Sequence, residues 1–205
     1  HFTTTVLEKT GGEKFASSQK LDTLSNLRII FGKSLLDFAD EGGMELPKFD
    51  FIFLRYLLSQ QAFPVRALKE LMKLLNSKGT ICIADLDWAY LFIYPQPKGL
   101  NRLYEKAMEY ARKHQIDPFA GRKILSQLHE SGAQEIHAWQ QAIDSSFFPQ
   151  QSLIEKIIEP RLAMMREVSL AEREIEAIEE NIRLMSDRES LWASYSIFWG
   201  CGRSK

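Results

Sequence analysis

Residues 49–87 read FDFIFLRYLLSQQAFPVRALKELMKLLNSKGTICIADLD. An apolar run, 51–54, passes through Arg55 into a short segment ending at Pro64. The stretch 65–76 carries its apolar residues at helical spacing, Lys78-Gly79 turns the chain, and a second apolar run, 80–84, stops on Asp85-Leu86-Asp87. Continuous β-rich runs joined by a period-3.6 helix and bounded by turn residues mark strands buried on both faces of a parallel sheet. The stretch is therefore a β-α-β unit. Ligands of such sheets sit beyond the carboxyl ends of the strands, which puts Arg55, Asp85 and Asp87 where chemistry is expected.

Composition limits what surrounds that unit. With 205 residues, 45% hydrophobic and 26% charged, the chain can bury a core and reads as one domain, 1–205. A net charge of -1 argues against nucleic acid as a partner. Cys82 lies in an expected core strand and Cys201 near the end, so both read as reduced core residues of a cytoplasmic protein. No apolar stretch approaches the roughly 20 residues that span a bilayer.

Upstream, 2–7 is rich in Thr and Val and ends at Glu8, a strand with an acid at its carboxyl end. A short helix is expected over 13–20, a strand over 27–31 closed by Gly32, and a turn or two of helix over 34–40. Downstream, the aromatic, proline-punctuated stretch 88–97 reads as a loop that lines or lids a pocket; rings plugging the core are the plainer alternative. Helices follow over 99–114 and 121–131, a strand over 135–143, and two long helices over 149–165 and 169–185. The acidic stripe Glu172, Glu174, Glu176, Glu179 and Glu180 has no histidines at ligand spacing and reads as a solvated face, with no metal. The segment 190–202 is a closing strand by composition.

The succession LRIIFGKSLLDF, then 49–87, then DPFAGRKILSQLHESGAQEIHAW, resembles the S-adenosylmethionine-dependent class I methyltransferases, in particular the small-molecule group related to quinone biosynthesis. The positions that carry it are Phe49-Asp50, Arg55, Leu58, Leu68 with Glu70, and Gly79. Gly121 to Leu125 through Ser131-Gly132-Ala133 resembles the approach to the sixth strand, and LWASYSIFWGCGRSK the seventh. The resemblance implies a Rossmann-like α/β sheet with helices on both faces and a helical insertion, 149–185, before the last strand. It also implies S-adenosylmethionine as cofactor, bound by Glu8 at the ribose, by Gly32, Lys33 and Ser34, and by Leu54, Arg55 and Tyr56 on the methionine side. Asp85, Asp87, Trp88, Tyr90 and Tyr94 would shape the site of a small-molecule acceptor. No catalytic residue is singled out.

The chain departs from the family in three places. Its Gly-rich loop after the first strand is missing, so 2–8 aligns with the second strand and the first β-α unit is not there. The family sheet runs 3-2-1-4-5-7-6, so this gap falls at its centre, between strands two and four. Unpaired backbone would then face the gap, and the chain is expected to be a fragment of a longer enzyme. Lys33 stands near where an acid often meets the adenine amino group, and lysine accepts no hydrogen bond. Gln60 stands where many members place a histidine, and an amide is no general base. A non-catalytic module that binds a protein partner through 149–185 is the second reading. Nicotinamide-dependent oxidoreduction is a third, without a G-x-G-x-x-G to support it.

Overall fold

The computed structural model describes residues 4–8, 27–31, 48–168, 172–186 and 190–205. The β-α-β unit consists of β3 (Phe49–Arg55), a 3-10 turn at Leu58–Gln60, α1 (Pro64–Lys73) and β4 (Leu75–Tyr94). Pro64 opens α1, where the missing N–H would have had no intrahelical partner, and Lys73 complements the dipole in its last turn. Ala67, Leu68 and Leu71 form its buried face. β3 and β4 are parallel, and their register jumps from Phe49↔Leu75 to Phe51↔Thr80. The expected Lys78-Gly79 turn is that excursion, with Lys78 at φ 64. A Cβ on Gly79 would stand 2.9 Å from the Asn76 carbonyl oxygen and 3.0 Å from that of Phe49, so only glycine fits without a shift.

Two strands precede this unit. β1 (Thr4–Glu8) and β2 (Leu27–Phe31) pair in parallel as a sheet of their own. After it come α2 (Leu100–Lys113), α3 (Ala120–Ser131), β5 (Gln134–Asp144), α4 (Gln150–Glu167), α5 (Glu172–Ser186) and β6 (Trp192–Arg203). The second sheet has the order β3-β4-β6-β5, with β6 antiparallel to both neighbours. The order β3-β4-β6-β5, parallel in its first pair and antiparallel at β6, is that of the expected strands 4-5-7-6. Among the described residues no ladder links the two sheets. The expected helix 13–20, the turns at 34–40 and the residues Gly32, Lys33 and Ser34 lie outside the described residues.

Two clusters, on opposite faces of the four-stranded sheet, form the core. On one face Leu54, Ile81 and Ile83 pack with Leu58, Leu68 and Leu71 of the α1 side and with Ile124 and Leu128 of α3. On the other, α2, α4 and α5 cover the distal half of β4 and the start of β6: Leu91, Ile93 and Ala193 meet Leu103, Ile157, Leu162 and Ile178. Period-2 alternation along β6 assigns the faces. Gly200 stands under Ile124 and Leu128 of α3, whereas Trp199 stacks between Phe53, 6.1 Å away, and Trp139, 5.8 Å away. α3 ends as its sequence dictates, on Gly132 at φ 90, where glycine carries no left-handed penalty.

The structure corrects three expectations. The stretch from Trp88 onward is no loop: β4 runs on to Tyr94, and Leu91 to Tyr94 pair with Trp192 to Tyr195 after a register shift at Leu86/Leu91. Asp85 and Asp87 thus lie at the start of an irregularity within a strand rather than at its end. β3 is not buried on both faces, because Phe51 is 57% and Phe53 46% exposed. Cys82 and Cys201 are not free thiols: they are direct cross-strand partners of β4 and β6, with Cα atoms 4.2 Å apart and their sulfurs bonded. The close antiparallel pairing aims both side chains to the same face.

Candidate functional site

The end of β3 is built to turn outward. Leu54 is buried, Arg55 is exposed, and Tyr56 takes φ 54, a left-handed conformation unusual for an aromatic residue. Its N–H donates to the Ala84 carbonyl at 2.9 Å, which fixes the turn against β4. The Arg55 guanidinium lies 4.8 Å from the centre of the Tyr56 ring. Gln60 Nε2 donates to the Tyr56 carbonyl at 2.9 Å, so the amide braces this turn. Burial pushes the Tyr195 hydroxyl up, with Tyr56 adding to the shift and Arg55 opposing it, so all three groups share one electrostatic neighbourhood.

Asp85 and Asp87 brace the adjoining irregularity in β4. Asp85, 2% exposed, accepts from the Ser59 N–H at 3.0 Å and from its neighbour Leu86 at 2.8 Å. Burial raises its carboxyl above the ordinary carboxylate range, while these backbone donors pull it back. Asp87 is fully buried and forms a two-pronged ion pair with Arg122 at the start of α3, with Nη2 to Oδ1 at 2.8 Å. It also accepts from the Ala89 N–H at 3.0 Å. The loop before α3 joins the same frame, since Asp117 donates to the Ser59 carbonyl and Trp88 to that of Pro118.

Asp85→Ala leaves two backbone donors without a partner and should cost about 2 kcal/mol in urea unfolding at neutral pH. The folded carboxyl is raised, so its stabilising contribution is fully present below the unfolded pKa and is lost as pH rises through the folded one. The deficit of D85A should therefore be larger at acid pH than at neutral pH. A deficit that grows toward neutral pH would contradict the assignment.

The three aromatic residues expected at the acceptor site lie on different faces. Tyr90 meets Phe198 edge-on at 5.1 Å, and Tyr94 is 72% exposed. Trp88 is half-buried and packs on the opposite side, against the cluster formed with α2 and α4. There it meets Arg161 of α4, a residue that the sequence analysis passed over. The Arg161 guanidinium lies 5.2 Å from the Trp88 ring centre and 5.8 Å from that of Tyr104. Its signal was present in the sequence, since Ile154, Ile157, Ile158, Arg161, Leu162 and Met165 form one apolar stripe with a cation inside it.

Glu8 is the last residue of β1, as expected. The acidic stripe of α5 is a charged surface: Glu174 pairs with Arg102, Glu172 and Glu179 with Arg166, and Glu180 with Arg183. Among the described residues no cluster of ligating side chains could hold a metal ion, and no helix is long and apolar enough to cross a membrane. A shallow groove of about 260 Å³ lies beside α3 and β5, lined by Arg122, Leu125, Trp139 and Phe198 among others. The apolar stripes of α4 and α5 are committed to the protein's own core, so no observation favours the partner-binding reading of these helices.

No protein-family model and no curated protein matches the chain. Solved structures do. A Bacillus halodurans C-125 protein assigned as a methyltransferase superposes with a TM-score of 0.53 at 10% identity, over 98% of this chain and 82% of that one. The YcgJ protein of Bacillus subtilis gives 0.51 at 13% identity, over 99% and 82%. A phosphoethanolamine N-methyltransferase of Haemonchus contortus, in complex with S-adenosyl-L-methionine, gives 0.52 at 11% identity, over 100% of this chain and 49% of that one. The chain thus spans about half the length of the nematode enzyme. At these identities the likeness establishes the fold.

Proposed function

From the class I methyltransferase fold, which this chain has, we propose that the protein transfers the methyl group of S-adenosylmethionine to a small-molecule acceptor. The observation that carries the reading is the order β3-β4-β6-β5 of the four-stranded sheet, with β6 antiparallel; Arg55 ends β3, and Glu8 ends β1 of the two-stranded sheet. In this reading the cofactor is held by Glu8, Arg55 and Tyr56. A carboxylate at Glu8 accepts hydrogen bonds from a ribose diol. An exposed guanidinium at Arg55 pairs with a carboxylate such as that of the methionine part. Tyr56 would supply an apolar wall, whereas Leu54 is taken up by the core cluster with Leu58 and Leu68.

The cofactor supplies an electrophilic methyl group on a positively charged sulfur. Glu8 and Arg55 would hold this donor, and an acceptor would take the methyl group, with the electron pair of the broken carbon–sulfur bond left on sulfur. The protein's part is to hold the acceptor in line and keep water out. Asp85 and Asp87 act as positioning residues, because their carboxylates are taken up by Ser59, Leu86, Ala89 and Arg122.

The test is transfer of labelled methyl from S-adenosylmethionine by the full-length protein to a low-molecular-mass cell extract and, separately, to protein and nucleic-acid fractions. Label in the small-molecule fraction, with S-adenosylhomocysteine formed in equal amount, is the expected result. Label confined to a macromolecular fraction would contradict the acceptor class. Label in none would contradict the activity.

A further inference from the structure

Arg161 is 5% exposed and sits in the hydrophobic cluster between α2 and α4, yet no carboxylate among the described residues pairs with it. Its Nη1 donates to the Ile157 carbonyl one turn back, and its buried Nε has no hydrogen-bond partner among the described residues. Trp88 and Tyr104 flank the guanidinium plane, and the Tyr104 hydroxyl is already spent on the Leu91 carbonyl at 3.2 Å. Burial lowers the guanidinium to about 10, which leaves it charged at neutral pH. A buried charge with an unmet donor is among the costliest arrangements in a protein interior. A structural role alone would be served better by an apolar residue, as the rest of the stripe shows.

We propose that Arg161 anchors a carboxylate of the methyl acceptor, so that the substrate is a small, flat or apolar carboxylic acid. This rests on the methyltransferase reading. The guanidinium fork matches a carboxylate in two parallel hydrogen bonds. One cation balances one negative charge. A phosphate dianion would leave the site with a net buried charge, and no second cation is at hand among the residues that flank Arg161. Trp88 follows the Asp85-Leu86-Asp87 segment of β4, and Ala84 just before it pairs with Arg55 at the end of β3; the acid is proposed to bind on the Trp88 side of this part of the sheet.

The test uses the full-length protein and sodium benzoate as probe, with benzamide as its uncharged counterpart and inorganic phosphate as the competing oxyanion. The arginine Nε–Hε signals are followed by nuclear magnetic resonance, and S-adenosylhomocysteine is titrated into the same sample. Benzoate should shift the Arg161 signal saturably, benzamide should not, and phosphate should act at least about tenfold more weakly. Arg161→Met, which keeps the shape without the charge, should lose the response and keep its affinity for S-adenosylhomocysteine. Arg161→Lys should weaken benzoate at least about tenfold, because the fork is lost while the charge stays.

An unshifted Arg161 signal at about 50 mM benzoate, many times a millimolar Kd, would overturn the proposal. Binding of S-adenosylhomocysteine in that sample would show that the methyltransferase reading stands without it. A benzoate response in a protein that binds no S-adenosylhomocysteine would overturn the acceptor assignment by removing its premise. A response that survives in R161M would also overturn it.

Discussion

Glu8→Ala should weaken S-adenosylhomocysteine binding about 100-fold, read by calorimetric titration into the full-length protein. Glu8 closes β1, and in the reading above its carboxylate accepts one hydrogen bond from each ribose hydroxyl. A charge-assisted hydrogen bond contributes about 1.5 kcal/mol or more, so two amount to about 3 kcal/mol, or roughly two decades in Kd. Glu8→Asp shortens the reach but keeps the charge, and should recover part of the loss. An unchanged Kd in E8A, with the variant folded, would remove Glu8 from the site.

Gly200→Val should destabilise the fold by about 3 kcal/mol, the largest stability effect expected here. Gly200 lies in the middle of β6, and a Cβ there would collide with Ile124 Cγ2 and stand 2.9 Å from Leu128 Cδ1. Both belong to α3 and to the cluster that holds it on the sheet. Forcing branched carbon into a packed interior typically costs about 1–3 kcal/mol, and valine adds two methyl groups beyond the colliding Cβ. Gly200→Ala should cost less, about 1–2 kcal/mol, because it adds only the Cβ that Ile124 and Leu128 must shift to admit. Chemical unfolding of the two variants separates these outcomes. Equal effects would mean that α3 is not packed as described.

The β-α-β unit was legible because its periods are local: apolar runs of strand length flank a stripe at Ala67, Leu68 and Leu71. The order of the four-stranded sheet followed from the family resemblance rather than from any local pattern. Residues 88–94 misled, because apolar and aromatic side chains occupy both faces there. Leu91 and Ile93 turn inward while Phe92 and Tyr94 turn out, an alternation that aromatic residues on both sides conceal. The Cys82–Cys201 bond spans 119 residues and emerges only from the register of β4 on β6. Asp87 was read as standing at a strand end, but it lies within β4, and its partner Arg122 comes from a helix 35 residues later. No local pattern could show that its carboxylate is already engaged.

The most direct test of the cofactor assignment is hydrogen exchange of the full-length protein with and without saturating S-adenosylhomocysteine, resolved to short peptides. Slower exchange at the end of β1 around Glu8, at 32–34 and at the 54–56 turn, with α5 unchanged, is the result this account expects. No protection at 54–56, or protection confined to the groove beside α3 and β5, would contradict it.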